Sequence, residues 1–210
     1  MLEMCALITR ADASDSVGPV AAAGVVGNAR ITGTFGAVIF VLLFVEGITV
    51  LRVRELISMH TFVGMLLVPF VIVKIASTGY RIVRYYGGHG AYAEKGPPPL
   101  LLRLLGPVVV VTTVALLATG IGAILTDRRS SWVVAAHKVS FILWFGAMTI
   151  HVLGHALETP ALAVGDLRAA ARGQIPGATA RIALVFVSVT IAVALGLVSI
   201  GWAHHWQSLH

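Results

Sequence analysis

Apolar residues in this chain do not alternate with polar ones; they come in long, nearly unbroken runs. A helix needs ~20 mostly apolar residues to cross a bilayer. Five stretches reach that length: Gly33 to Leu51, Ser58 to Tyr80, Leu100 to Leu125, Ser131 to Leu157, and Ile182 to Trp202. The pattern predicts five transmembrane helices, with Pro69 a candidate kink in the second. The links 52–57 and 126–130 are short, which makes the spans on either side antiparallel neighbours. Residues 81–99 are rich in Gly, Pro and Tyr and read as a loop at the membrane interface. Residues 159–181 read as a second interfacial loop, with a short helix around Asp166 to Arg172. Residues 1–29 carry Glu3, Arg10, Asp12 and Asp15, lack the basic start and apolar core of a signal peptide, and read as a poorly ordered tail.

The expected organisation is therefore all-α. It comprises a tail (1–29), a four-helix transmembrane bundle (30–158), an interfacial loop (159–181), a fifth C-terminal transmembrane helix (182–203) and a last tail (204–210).

Composition sharpens this picture. Hydrophobic residues make up 58% of the 210, and charged residues 11%, against roughly a quarter in soluble domains. Mean hydropathy is +0.92. So few charges cannot coat a water-facing surface of this size, which leaves the lipid bilayer as the main solvent. The net charge of +6 would raise nucleic acid as a partner in a soluble protein. Here the basic residues sit between apolar runs and read as topology signals instead. With five spans, Arg10, Arg30, Arg81, Arg84, Lys95, Arg103, Arg168, Arg172 and Arg181 fall on one side. Arg52, Arg54, Arg128, Arg129 and Lys138 fall on the other. The excess predicts a cytoplasmic N-terminus in the cell membrane. The single cysteine, Cys5, excludes an intrachain disulfide. No GxGxxG follows a strand and no P-loop is present.

Candidate chemistry lies in the ionisable residues inside the spans, which are costly there and usually functional. They are Glu46, His60, Lys74, His137, His151 and His155. All four histidines fall on the second and fourth spans. Two crossings apart, these spans run in the same direction, so His60 and His137 share a depth. Two imidazoles facing each other at one depth can hold a planar iron porphyrin between them, since imidazole is an axial ligand of haem iron. His151 lies 14 residues after His137, ~21 Å along the axis and ~40° short of whole turns. His155, 18 residues after His137, returns to its face. Fourteen residues after His60 comes Lys74 instead of a histidine. Lys74 is expected to face the bundle interior and to meet Glu46 through water, because the two differ in depth. Phe62, Phe141, Trp144 and Phe145 could wall a porphyrin, and Gly64, Gly79 and Gly146 could let it approach. Against this stands a plainer reading for His60 and His155 as hydrated polar helix ends.

The segments LISMHTFVG (56–64) and AAHKVSFILWFGAMTIHVLGH (135–155) resemble bacterial membrane b-type cytochromes. These are four-helix haem bundles related to the cytochrome b N-terminal domain and to ferric-reductase-like membrane domains. KIASTGYRIVRYY (74–86) and GPPPLLLRLLGP (96–107) are similar to actinobacterial membrane proteins of that kind. The resemblance covers about residues 33–158. It implies bis-histidine haem b and transmembrane electron transfer, with quinone or a soluble redox protein as partner and membership of an oxidoreductase assembly. The matching positions are His60, His137 and His151; Lys74 departs from the pattern. One haem on His60 and His137, a second involving His151 or His155 with Lys74, and a proton or quinone site in its place all stay open. Arg81 and Arg84 could neutralise haem propionates or lipid phosphates. Two other functions compete: a histidine-lined cation or proton transporter, and a membrane anchor subunit of a redox complex. Oligomeric state is left open.

Overall fold

A computed structural model describes residues 19–93, 100–126, 131–155 and 178–208. The described residues form five long helices and one short turn of helix: α1 (Pro19–Leu51), α2 (Ile57–Tyr86), α3 (Gly90–Ala93), α4 (Leu100–Leu125), α5 (Ser131–His155) and α6 (Ala178–Ser208). All five long helices are long and apolar enough to cross a membrane. The chain is thus a multi-pass helical membrane bundle, as the hydropathy pattern requires.

The boundaries differ from the apolar runs in two places. α1 begins at Pro19, so residues 19–29, expected in the tail, are helical. Proline suits a helix start, where its missing N–H leaves nothing unsatisfied. α2 continues through Arg81 and Arg84 to Tyr86, so residues 81–86 belong to a helix and not to the loop. There the Arg84 guanidinium lies over the rings of Tyr80 and Tyr92, 5.6 Å and 6.0 Å from their centroids. Such cation–π contacts and the tyrosine belt suit the interface. Pro69 is accommodated inside α2 without ending it. The expected short helix at 166–172 lies outside the described residues, as do residues 1–18.

α2 is central. It packs along α1 on one side and α6 on the other, while α4 and α5 form a second hairpin that leans on α2 and α6 more lightly through α4. The short links thus produce the two antiparallel pairs expected, α1–α2 and α4–α5. The apolar core between α1, α2 and α6 is Phe35, Ile39, Leu67, Phe70 and Ala192, with the Phe35 and Phe70 rings 5.7 Å apart. Between α4 and α5, Trp144 Nε1 donates to Thr113 Oγ1 at 3.0 Å. Several small polar residues turn inward (Thr49, Thr61, Ser77, Ser188, Ser199), while Phe44, Val111, Ile142 and Phe186 are exposed. Lipid covers such apolar faces at no cost, and polar groups must find partners inside.

Candidate functional site

His60 and His137 meet. His60 lies in the first turn of α2 and His137 in the second turn of α5, so the two helices begin at the same end of the bundle. Their ring centroids are 6.3 Å apart, with the planes crossed at 74°. The side chains bridge two helices that are not themselves closely packed.

Each ring is fixed through Nδ1. His60 Nδ1 stands 2.9 Å from Glu46 Oε1 and 3.1 Å from Thr49 Oγ1. The Thr49 hydroxyl donates to the Glu46 carbonyl at 2.7 Å and lies 3.1 Å from Glu46 Oε2. A carboxylate only accepts, so His60 Nδ1 carries the proton. His137 Nδ1 lies 3.1 Å from the Leu116 carbonyl oxygen and 3.3 Å from Thr119 Oγ1. A carbonyl too only accepts, which places the proton on Nδ1 here as well. In the neutral imidazoles, Nε2 is then the lone-pair nitrogen on both rings. Orienting a histidine through Nδ1–H to a carboxylate or a carbonyl is the arrangement found behind metal-ligating histidines.

The two sets of anchors come from the two hairpins. Glu46 and Thr49 are on α1, just before the turn that leads into α2, and this turn hydrogen-bonds the His60 N–H to the Leu56 carbonyl at 2.8 Å. Leu116 and Thr119 are on α4, facing α5 across the second short link. Gly120 makes the room: a Cβ built there would stand 3.0 Å from His137 Cε1. Gly64 stands similarly close to Glu46, with a Cβ position 3.5 Å from Oε1.

The remaining candidates lie elsewhere. Lys74 Nζ donates to the Thr32 carbonyl of α1 at 2.7 Å, in a notch left by Gly36, where a Cβ would stand 2.9 Å from Nζ. The amine does face the interior, but its partner is a backbone carbonyl, and Glu46 is held by His60. The expected water-bridged Lys74–Glu46 pair gives way to these two separate contacts, because Thr32, which Lys74 meets, lies ~21 Å along α1 from Glu46. His151 is half-buried on α5, ~21 Å along the axis from His137. His155 is the last residue of α5; its side chain lies outside the described set. Arg81 is 21 residues beyond His60 on one continuous helix, ~31 Å away along its axis, and belongs to the opposite end. Of the aromatic residues, Phe62 turns to α6, where its ring lies against Gly196. Trp144 turns to α4, and Phe145 is exposed. Phe141 stacks on Trp144 at 6.3 Å.

Sequence reasoning missed Thr49, Leu116, Thr119 and Gly120, and gave Glu46 the wrong partner. Among the described residues, no three His, Cys, Asp or Glu side chains converge to hold a bare metal ion. Comparison with protein-family models, with curated proteins and with solved structures finds no match.

Proposed function

We propose that this chain is a membrane-embedded b-type cytochrome whose haem b is held by His60 and His137. The observation that carries the reading is the separation of the two rings together with the anchoring of both Nδ1 atoms. An iron bound by both imidazoles would set their ring centroids about 6 Å apart, and the rings here are at 6.3 Å. A haem would ask two axial imidazoles of the protein, and His60 and His137 are the two that meet here.

Haem iron held this way gains and loses one electron at a time. The protein's part is to hold and tune it. Glu46 accepts the Nδ1–H of His60, fixing its tautomer and making Nε2 a stronger donor, and the Leu116 carbonyl does the same for His137. The carboxylate also places a negative charge beside one ligand, which favours the oxidised state. Lys74 is engaged by α1, so a single haem is the stoichiometry the contacts favour. Electrons would come from a quinol or a partner redox protein, in an oxidoreductase assembly in the cell membrane with the N-terminus cytoplasmic.

The purified protein is expected to show a Soret band and an α-band that appears on reduction, at one haem per chain. A preparation that folds but has no such bands rejects the reading. The competing reading is a cation permease, favoured by the Glu46 carboxylate beside His60 within a span. It requires metal uptake into liposomes that His151→Ala abolishes. The haem reading expects no such uptake.

A further inference from the structure

The end of α2 opposite His60 carries a cluster of arginines and tyrosines. Gly87 and Gly88 stop the helix, and Gly88 takes a φ of +71°, in the left-handed region that glycine adopts readily. The chain turns back there. The His89 N–H meets the Arg84 carbonyl at 3.2 Å, and the Tyr92 N–H meets the His89 carbonyl at 2.9 Å. This turn lays α3 on α2 and α1 and buries Tyr92, whose ring meets that of Tyr80 edge-on at 6.0 Å. The Arg84 guanidinium lies over both rings. On another flank of α2, Arg103 of α4 makes a similar contact with Tyr86. Its Nε donates to the hydroxyl at 2.8 Å, and its guanidinium lies 5.4 Å from the ring centroid.

The tyrosines seat the Arg84 charge but do not neutralise it. Nε is enclosed without a hydrogen-bond partner, and a ring face is not a charged acceptor. Arg81 stands three positions earlier on the same helix. Residues at that spacing are surface neighbours, where like charges repel. Arg30 of α1 and Arg181 of α6, whose guanidinium lies beside Gly27, are at the same end of the bundle. Among the described residues the carboxylates, Glu46 and Glu55, are at the other end. A guanidinium held in place among cations is the setting in which an anion is bound. Haem propionates do not meet that need. Arg84 is 24 residues beyond His60 on one continuous helix, ~36 Å along its axis.

We propose that Arg84, with Arg81 beside it, binds the phosphate of an anionic phospholipid. The guanidinium fork takes two phosphate oxygens at once, and the two tyrosine rings hold the fork in place beforehand. Helix ends rich in tyrosine mark the membrane–water interface, which is where phospholipid phosphates lie. Basic pockets between helices at that level hold such headgroups. The lipid must carry a net negative charge, because Arg81 repels the choline cation of a zwitterionic one. No bond is made or broken and no electron moves, so the site stands independently of the haem reading.

The test uses the full chain in detergent, mixed with equal amounts of phosphatidylglycerol and phosphatidylcholine, with bound lipids counted by native mass spectrometry. Phosphatidylglycerol is expected to be retained about tenfold over phosphatidylcholine. Arg84→Gln, checked for retained helix content, is expected to abolish that preference. Arg84→Lys keeps the charge without the fork and is expected to lose part of it. Arg54→Gln, at the other end of α2, is expected to keep it whole. Added inorganic phosphate is expected not to displace the lipid. Equal retention of the two lipids overturns the site, as does a preference that survives both Arg84 substitutions. A preference that Arg54→Gln reduces as much as Arg84→Gln reports diffuse charge and overturns it too. Displacement by inorganic phosphate overturns the lipid as the source of the anion.

Discussion

His60 Nδ1 stands 2.9 Å from Glu46 Oε1, and the two residues lie seven positions either side of Val53, within the first short link. The carboxylate therefore orients the ring across the first short link. Removing it has a defined consequence. Glu46→Leu is expected to lower haem affinity about 10–100-fold, the usual cost of losing such an outer partner. Glu46→Gln keeps an oxygen that accepts Nδ1–H, so it retains more haem than Glu46→Leu but at a higher reduction potential, because a negative charge beside the iron is gone. Haem titration of the apoprotein and a redox titration measure the two effects. Equal affinity in all three proteins would remove Glu46 from the site.

Gly120 is where α4 gives way to the His137 ring. A methyl there would lie 3.0 Å from Cε1, tighter than ordinary contact, so the ring must shift by a few tenths of an ångström. Gly120→Ala is expected to weaken haem binding with little loss of helix content, and Gly120→Val to abolish binding. Haem content per folded chain, with circular dichroism as the control, separates these from general unfolding.

The Phe62 ring lies against Gly196, where a Cβ would be 2.6 Å from Cε2. This close approach seats α6 on α2. Gly196→Val is expected to destabilise the protein by about 1–3 kcal/mol, the range for overpacking. Phe62→Leu should recover part of that loss in the double variant, which a double-mutant cycle of denaturation reads directly.

Much of this architecture was legible in the chain. The five apolar runs gave five helices, and the short links gave two antiparallel hairpins. The parallel direction of the second and fourth spans brought His60 and His137 together. The start of α1 was not legible, because Asn28, Arg30, Thr32 and Thr34 interrupt the apolar run. Asn28 and Thr32 are partnered by Ser77 and Lys74 on α2, a tertiary effect that no local pattern reports. The partners of the histidines did carry a signal. In a hairpin, residues equally far from the link face each other. Glu46 and His60 obey this about Val53, Thr32 and Lys74 do so twenty-one positions out, and Thr119 and His137 lie nine positions either side of Arg128. That count points Glu46 at His60 and Lys74 at Thr32. The contacts of Phe62 with Gly196 and the exposure of Phe145 were not legible for a different reason: large aromatics serve any helix contact or lipid face, and their identity does not say which.

The central claim, that one iron is shared by His60 and His137, is tested most directly by reduced-minus-oxidised spectra of His60→Ala and His137→Ala, read as haem per folded chain. Both variants are expected to lose the same single signal entirely. If either keeps full haem content with an unchanged spectrum, the two rings do not share an iron.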